Sequence, residues 1–249
     1  LDYEMKRNDK IFILGEGIGK RGGNFSTTLG LFEKYGQLRV CDTPICERGF
    51  VGLACGAAMA GARPVVDFMF IDFLNDAFGE IINQISKVQY MSSGKIKMPI
   101  IMRGCIGIGH SAATHHSGSY YSLYSHFPGL IVVVPSNAYD AKGLFATALN
   151  CDNPILFLEH REIIMNKEEV PDEQYQIPFG EAKIVIEGSQ LTVVSLAKML
   201  LITEEVINEL SNSEKYSIEL IDPRCASPLD YDTIAESVKK TGRLLIIDE

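Results

Sequence analysis

The sequence predicts an α/β fold, with a parallel-sheet domain over residues 1–178 followed by a smaller α/β domain over 179–249. Two observations carry that expectation. Short apolar runs alternate with helical patterns almost from end to end, and strands covered on both faces read as such continuous runs. The alternation lapses between Arg161 and Pro178 into charged residues broken by Pro171, then restarts at Ala182.

In chain order, the first strand is expected at Ile11-Phe12-Ile13-Leu14. The uncharged segment from Gly49 to Ala62 is rich in Gly and Ala and reads as a tightly packed internal helix. It is shorter than the roughly 20 residues that cross a bilayer. A second strand follows at 64–70. Leu74, Ala77, Phe78, Ile81, Ile82, Ile85 and Val88 then recur at helical spacing, giving the crossover that parallel strands need. Further strands are expected at 100–102, 130–134 and 155–158. A second alternation starts at Ala182-Lys183-Ile184-Val185-Ile186, and the second unit reads as strand 191–196, helix 200–210, strand 217–221, helix 231–240 and strand 243–247. It stops directly after a strand, so further residues are expected beyond Glu249.

With 46% hydrophobic residues the chain can bury a substantial core. A net charge of −9 without a block of like charge disfavours nucleic acid or an anionic membrane as the partner. The first residues show no secretory pattern, so the cytoplasm is the default location, with an organelle matrix as the alternative. Cys41, Cys46, Cys55, Cys105, Cys151 and Cys225 lack the close pairing of a zinc or redox motif and read as free buried thiols.

Ligands of open parallel sheets sit beyond the carboxyl ends of the strands, which directs attention to the loops. Glu47 enters the Gly/Ala helix near its first turn. Taken alone, an acid there is read first as a complement to the helix dipole. The loop from Arg103 to Ser119 holds Gly104, Gly107, Gly109 and Gly118 with His110, His115 and His116. Glycines allow close backbone approach to a ligand, and histidines exchange protons near neutral pH, so catalytic and structural readings stand level. Phe68, Phe70 and Phe73 around the second strand read first as core. Gly15-Glu16-Gly17-Ile18-Gly19 follows the first strand, yet Lys20 occupies the position where a dinucleotide fingerprint requires glycine. No Gly-Asp-Gly segment with a following Asn is present either, so any diphosphate must be held by another chain.

Together these segments resemble the beta subunit of the thiamine-diphosphate-dependent 2-oxoacid dehydrogenases, the decarboxylating component of pyruvate, acetoin and branched-chain complexes. The likeness covers nearly the whole chain. Its most specific stretches are Asp42-Thr43-Pro44-Ile45-Cys46-Glu47-Arg48-Gly49-Phe50, Gly56-Ala57-Ala58-Met59-Ala60-Gly61 and Lys87-Val88-Gln89-Tyr90-Met91-Ser92-Ser93-Gly94. Phe127-Pro128-Gly129-Leu130 and Pro135-Ser136-Asn137-Ala138-Tyr139-Asp140-Ala141-Lys142-Gly143 continue it. The fold implied is a transketolase-like pyrimidine-binding domain, then an incomplete transketolase C-terminal-like domain resembled by Ile221-Asp222-Pro223-Arg224 and Lys240-Thr241-Gly242-Arg243.

The resemblance implies that Glu47 hydrogen-bonds the aminopyrimidine of thiamine diphosphate and favours its imino tautomer. Phe73 would pack on that ring, and His116 would face the reacting carbon. Tyr90 and Arg103 match positions lining the same cleft, Tyr90 as a cofactor-binding residue. Potassium is implied on the backbone carbonyls of Ile100, Ala148, Leu149, Cys151 and Asn153, the alternative being an ordinary hydrated helix end. The implied partners are an alpha subunit that carries Mg2+ and the diphosphate, in an α2β2 assembly, and a lipoyl-bearing acyltransferase. The implied substrate is a 2-oxoacid or acetoin. His115 and Gly118 stand where relatives carry Gln, Gly79-Glu80 replaces Asp-Gln, and Leu196-Ala197-Lys198 replaces a more glycine-rich turn. Two rival functions remain: a split transketolase-like ketol transferase, for which Arg103 is the main basic residue found, and a non-catalytic α/β assembly module.

Overall fold

A computed structural model describes residues 1–249 except position 215, with side chains described for all but 212–215. The first domain contains α1 (Asp2–Arg7), β1 (Ile11–Gly15), α2 (Leu31–Tyr35), β2 (Val40–Asp42), α3 (Glu47–Met59), β3 (Arg63–Phe70), α4 (Val88–Met91) and β4 (Ile101–Ile106). It continues through α5 (Tyr121–Ser125), β5 (Ile131–Val133), α6 (Ala138–Asn150) and β6 (Ile155–His160). The second contains β7 (Lys183–Ile186), β8 (Leu191–Ser195), α7 (Ala197–Glu214), β9 (Ile218–Asp222), β10 (Cys225–Ser227), α8 (Tyr231–Thr241) and β11 (Leu244–Ile247).

The large sheet runs β10-β5-β6-β4-β3-β1-β2, parallel except for β10. Alternate side chains serve two cores, as a strand's period of two requires. Leu14, Val66, Phe68 and Met102 face α3 and the segment after β3, whereas Ile13, Val65 and Ile101 face the α6 side. The small sheet runs β11-β8-β9-β7, with β7 antiparallel to β9.

Three expectations need correction. The crossover after β3 is not one α-helix: it is a 3-10 helix (Ile71–Ala77), a π-helix (Glu80–Ile85) and then α4. Leu74, Ala77, Ile81 and Ile85 are nevertheless fully buried, so the apolar stripe survives the change in hydrogen-bond pattern. Helix α3 is not internal. It buries Phe50, Val51, Ala54 and Ala58 but exposes Arg48, Gly52, Leu53, Gly56 and Met59. Among the cysteines, Cys46 is exposed and Cys41 and Cys151 are half-buried.

Strand β10 comes from the second domain yet completes the first domain's sheet, pairing antiparallel with β5. Beside it, Arg224 Nη2 reaches the Asp140 carboxylate at 2.7 Å, and Asp140 is wholly buried. No helix among the described residues is long and apolar enough to cross a membrane.

Candidate functional site

The carboxyl ends of β1, β3, β4 and β6 form one rim of the large sheet, and the loops leaving it carry the chemistry. Glu47 opens α3 just after Cys46, whose extended backbone turns the chain into the helix. The loop before it is tied to β1 by the Thr43 N–H donating to the Gly15 carbonyl at 3.0 Å. Glu47 is only 9% exposed and has no hydrogen-bond or ion-pair partner among the described residues. Its titratable neighbour is Glu16, whose pKa is raised by burial and then by the charge of Glu47. A buried, unpartnered carboxylate at a helix start fits a ligand that brings a nitrogen donor to it.

His116 lies in the 3-10 turn Thr114–His116, and its imidazole sits edge-on to two phenyl rings. The centroid distances are 4.8 Å to Phe70 and 5.4 Å to Phe73. Asp72 anchors this loop by accepting the Gly118 N–H at 3.1 Å. The loop can lie this close to β6 because Gly107 (φ +87°) has no side chain, and a Cβ there would meet His160 Nε2 at 2.1 Å. The three loop histidines diverge: His115 is exposed, and His110 points to Glu162 at 3.6 Å. The 3-10 helix bearing Phe73 packs against α3, so Glu47, Phe73 and His116 occupy neighbouring loops of one rim.

Two expected cleft residues lie elsewhere. Arg103 is buried in mid-strand between Glu159, which accepts from its Nε at 3.0 Å, and Asp67 at 3.6 Å. Burial would lower its pKa, but Glu159 and Asp67 outweigh that and raise it, so its charge is already neutralised. Tyr90 is 91% exposed on α4, which Gln89 fastens to the Asp152 carbonyl at the amino end of β6. Within one chain Tyr90 is therefore at the opposite end of the sheet from Phe73 and His116.

The five carbonyls expected around a cation gather at that same amino end. The Ile100 carbonyl accepts the Ile155 N–H at 2.9 Å and the Ala148 carbonyl accepts the Cys151 N–H at 3.2 Å. The Cys151 carbonyl accepts Arg63 Nη1 at 2.8 Å, while Arg63 Nη2 lies 2.6 Å from Asp152. Each carbonyl retains a second lone pair, but a fixed guanidinium already serves Cys151.

Residues 1–166 match the family described as "Transketolase, pyrimidine binding domain" and residues 180–249 that described as "Transketolase, C-terminal domain". The chain is 47% identical over 249 residues to the "Pyruvate dehydrogenase E1 component subunit beta" of Rickettsia felis, spanning all of this chain and 76% of the relative. It belongs to this family of transketolase-like dehydrogenase beta subunits. It is also 41% identical over 259 residues to the "Acetoin:2,6-dichlorophenolindophenol oxidoreductase subunit beta" of Cupriavidus necator, covering 100% of this chain and 76% of that one. A solved "Split gene transketolase, inactive beta4 tetramer" superposes with a TM-score of 0.80 at 21% identity, over 99% of this chain and 76% of the other, a likeness of fold.

The departures from the beta-subunit pattern acquire local explanations. Glu80 holds Arg48, the neighbour of Glu47, through contacts of 3.0 and 3.2 Å. Ala197 adopts φ +52° where the glycine-rich turn would do so more cheaply, and its N–H donates to Ser136 Oγ at 2.9 Å. Lys198 pairs with Glu162 at 2.6 Å, joining the second domain to the loop after β6. Two residues of this rim escaped the sequence reading. Glu16 was hidden inside a segment judged only as a failed phosphate cradle, and Arg161 at the start of a charged stretch read only as a boundary.

Proposed function

We propose that this chain is the beta subunit of a thiamine-diphosphate-dependent 2-oxoacid or acetoin dehydrogenase. The observation that carries the reading is Glu47: a carboxylate 9% exposed, unpaired, at the start of α3 and beside Glu16. Bound thiamine diphosphate supplies a carbon nucleophile that attacks a carbonyl. Glu47 would hold a proton against a ring nitrogen of that cofactor, where sharing it controls the tautomer. Phe73 would press against the ring's face, and His116 would exchange a proton at the reacting carbon's substituent. The rings of Phe70 and Phe73 flank that imidazole at 4.8 and 5.4 Å.

The chain shows no diphosphate cradle in its loop after β1, so an alpha subunit would carry Mg2+ and the diphosphate. An α2β2 assembly would also allow exposed Tyr90 to meet a cofactor across an interface, which it does not do within its own chain. A lipoyl-bearing acyltransferase would accept the acyl group, and the cytoplasm or an organelle matrix would house the complex. Potassium at the amino end of β4 and β6 is the peripheral element of this reading.

Reconstitution with the alpha partner tests it. Glu47→Gln should lower the rate of lipoyl acylation by about 10²–10⁴-fold while the complex still assembles. Full activity of that variant would refute the catalytic role of Glu47, and tight Mg2+-dependent cofactor binding by the isolated chain would refute the split site. Ketol transfer to a sugar phosphate in place of lipoyl acylation would move the chain to the transketolase side of its fold.

A further inference from the structure

The rim contains a second buried ionisable group, a cation with no ion-pair partner among the described residues. Arg161 directly follows β6, beside the β4 loop that carries His116. It is 2% exposed, and its Nε and Nη2 have no hydrogen-bond partner. Nη1 makes one side-chain contact, to the Gly109 carbonyl at 3.3 Å. The guanidinium carbon lies 5.0 Å from the Phe70 ring centroid, and that ring is 4.8 Å from the His116 imidazole. The cation and the histidine thus flank the same phenyl ring.

The nearby acids are engaged elsewhere. Glu159 is held by Arg103, Glu162 by Lys198 at 2.6 Å, and Glu249 by His160 at 2.6 Å. A guanidinium removed from water demands an anion, because Arg keeps its charge and presents a planar fork suited to two oxygens. The fork lies beyond the carboxyl end of a parallel strand, where ligands of such sheets bind. Phe70 stands between it and His116, and the Gly109 turn it contacts belongs to a loop with left-handed backbone at Gly107, His110, Ser111 and Ala113.

We propose that Arg161 recognises the carboxylate of the substrate, so that this site selects a 2-oxoacid over a neutral hydroxyketone such as acetoin. This rests on the dehydrogenase reading and decides between the two substrate classes that reading leaves open. Acetoin has no charge to offer the fork, and admitting it would leave the buried cation unpaired.

The test uses the reconstituted complex with its alpha partner, in parent, Arg161→Met and Arg161→Lys forms. The measurements are kcat and KM for pyruvate and acetoin, and thermal protection of the complex by pyruvate or by inorganic phosphate. The parent should favour pyruvate. Arg161→Met should reduce the pyruvate-to-acetoin selectivity by about 100-fold, mostly through the KM for pyruvate, and abolish protection by pyruvate. Arg161→Lys should restore part of both. Equal losses on the two substrates, an unchanged ratio, or a parent that prefers acetoin would overturn the proposal. Protection by phosphate in place of pyruvate would overturn the carboxylate assignment, and weakened subunit association in Arg161→Met would assign the anion to the partner. If the parent turns over neither substrate, the dehydrogenase reading falls, while the protection measurements still decide whether Arg161 binds a carboxylate.

Discussion

Asp222 ends β9 against the first domain, and replacing it by Asn should make the protein more stable at neutral pH. Its carboxylate is completely buried and accepts the Arg224 N–H at 2.8 Å through Oδ1, but Oδ2 has no partner. Burial pushes its pKa up to about 6 from an ordinary 3.8, Asp140 adds to the rise, and the Arg224 N–H and Ser136 oppose it. The folded state therefore holds this proton more tightly than the unfolded one. Its contribution is complete below the unfolded value and is lost as pH rises through about 6. A shift of about two units corresponds to about 3 kcal/mol, the cost of ionising Asp222 in place at pH 7.5. Asp222→Asn removes that cost while keeping the side chain's shape and the Oδ1 that accepts the Arg224 N–H. Urea denaturation of parent and variant from pH 4 to 7.5 gives the difference directly, since contributions from other groups cancel. The variant should gain progressively from about pH 4 to pH 6 and level off above that. A variant less stable than the parent at pH 7.5, or a difference independent of pH, would refute the reasoning.

Three further outcomes follow from the packing. Gly107→Ala forces a side chain into left-handed backbone and against His160, and should cost more than about 2 kcal/mol by thermal denaturation; a midpoint matching the parent would contradict the described loop path. Arg224→Met strands the buried Asp140 carboxylate and should cost about 3–5 kcal/mol in urea, whereas a loss below about 1 kcal/mol would mean the pair is hydrated. If potassium occupies the carbonyl cluster at Cys151, exchanging Na+ for K+ at about tenfold its dissociation constant should stabilise the complex by about 1.4 kcal/mol, and identical midpoints would leave Arg63 as the sole cation there.

The apolar runs of β1, β3 and β6 were legible because strands buried on both faces leave little freedom in composition. Glu47, Phe73 and His116 stood out as candidates only through their resemblance to known beta subunits, since spacing alone left Glu47 as a helix-dipole acid. Strand β2 was missed because Val40-Cys41-Asp42 is too short to show a period. Tyr90 lies apart from Phe73 and His116 within its own chain, because resemblance preserves sequence order but does not say which chain's cleft a residue enters. Arg161 could not be distinguished from a solvated charge, because its burial is imposed by Phe70 and Gly109, both distant in sequence.

The pairing of β10 with β5 also constrains the order of events during synthesis. Until Cys225–Ser227 has emerged, β5 stands as an unpaired edge, with the N–H and C=O groups of Ile131–Val133 open to another chain. A nascent chain halted after β6 would thus expose a template for intermolecular pairing, and the first domain becomes safe from aggregation only once most of the second has been made. Residues 1–178, though contiguous, are for this reason a poor unit for separate expression.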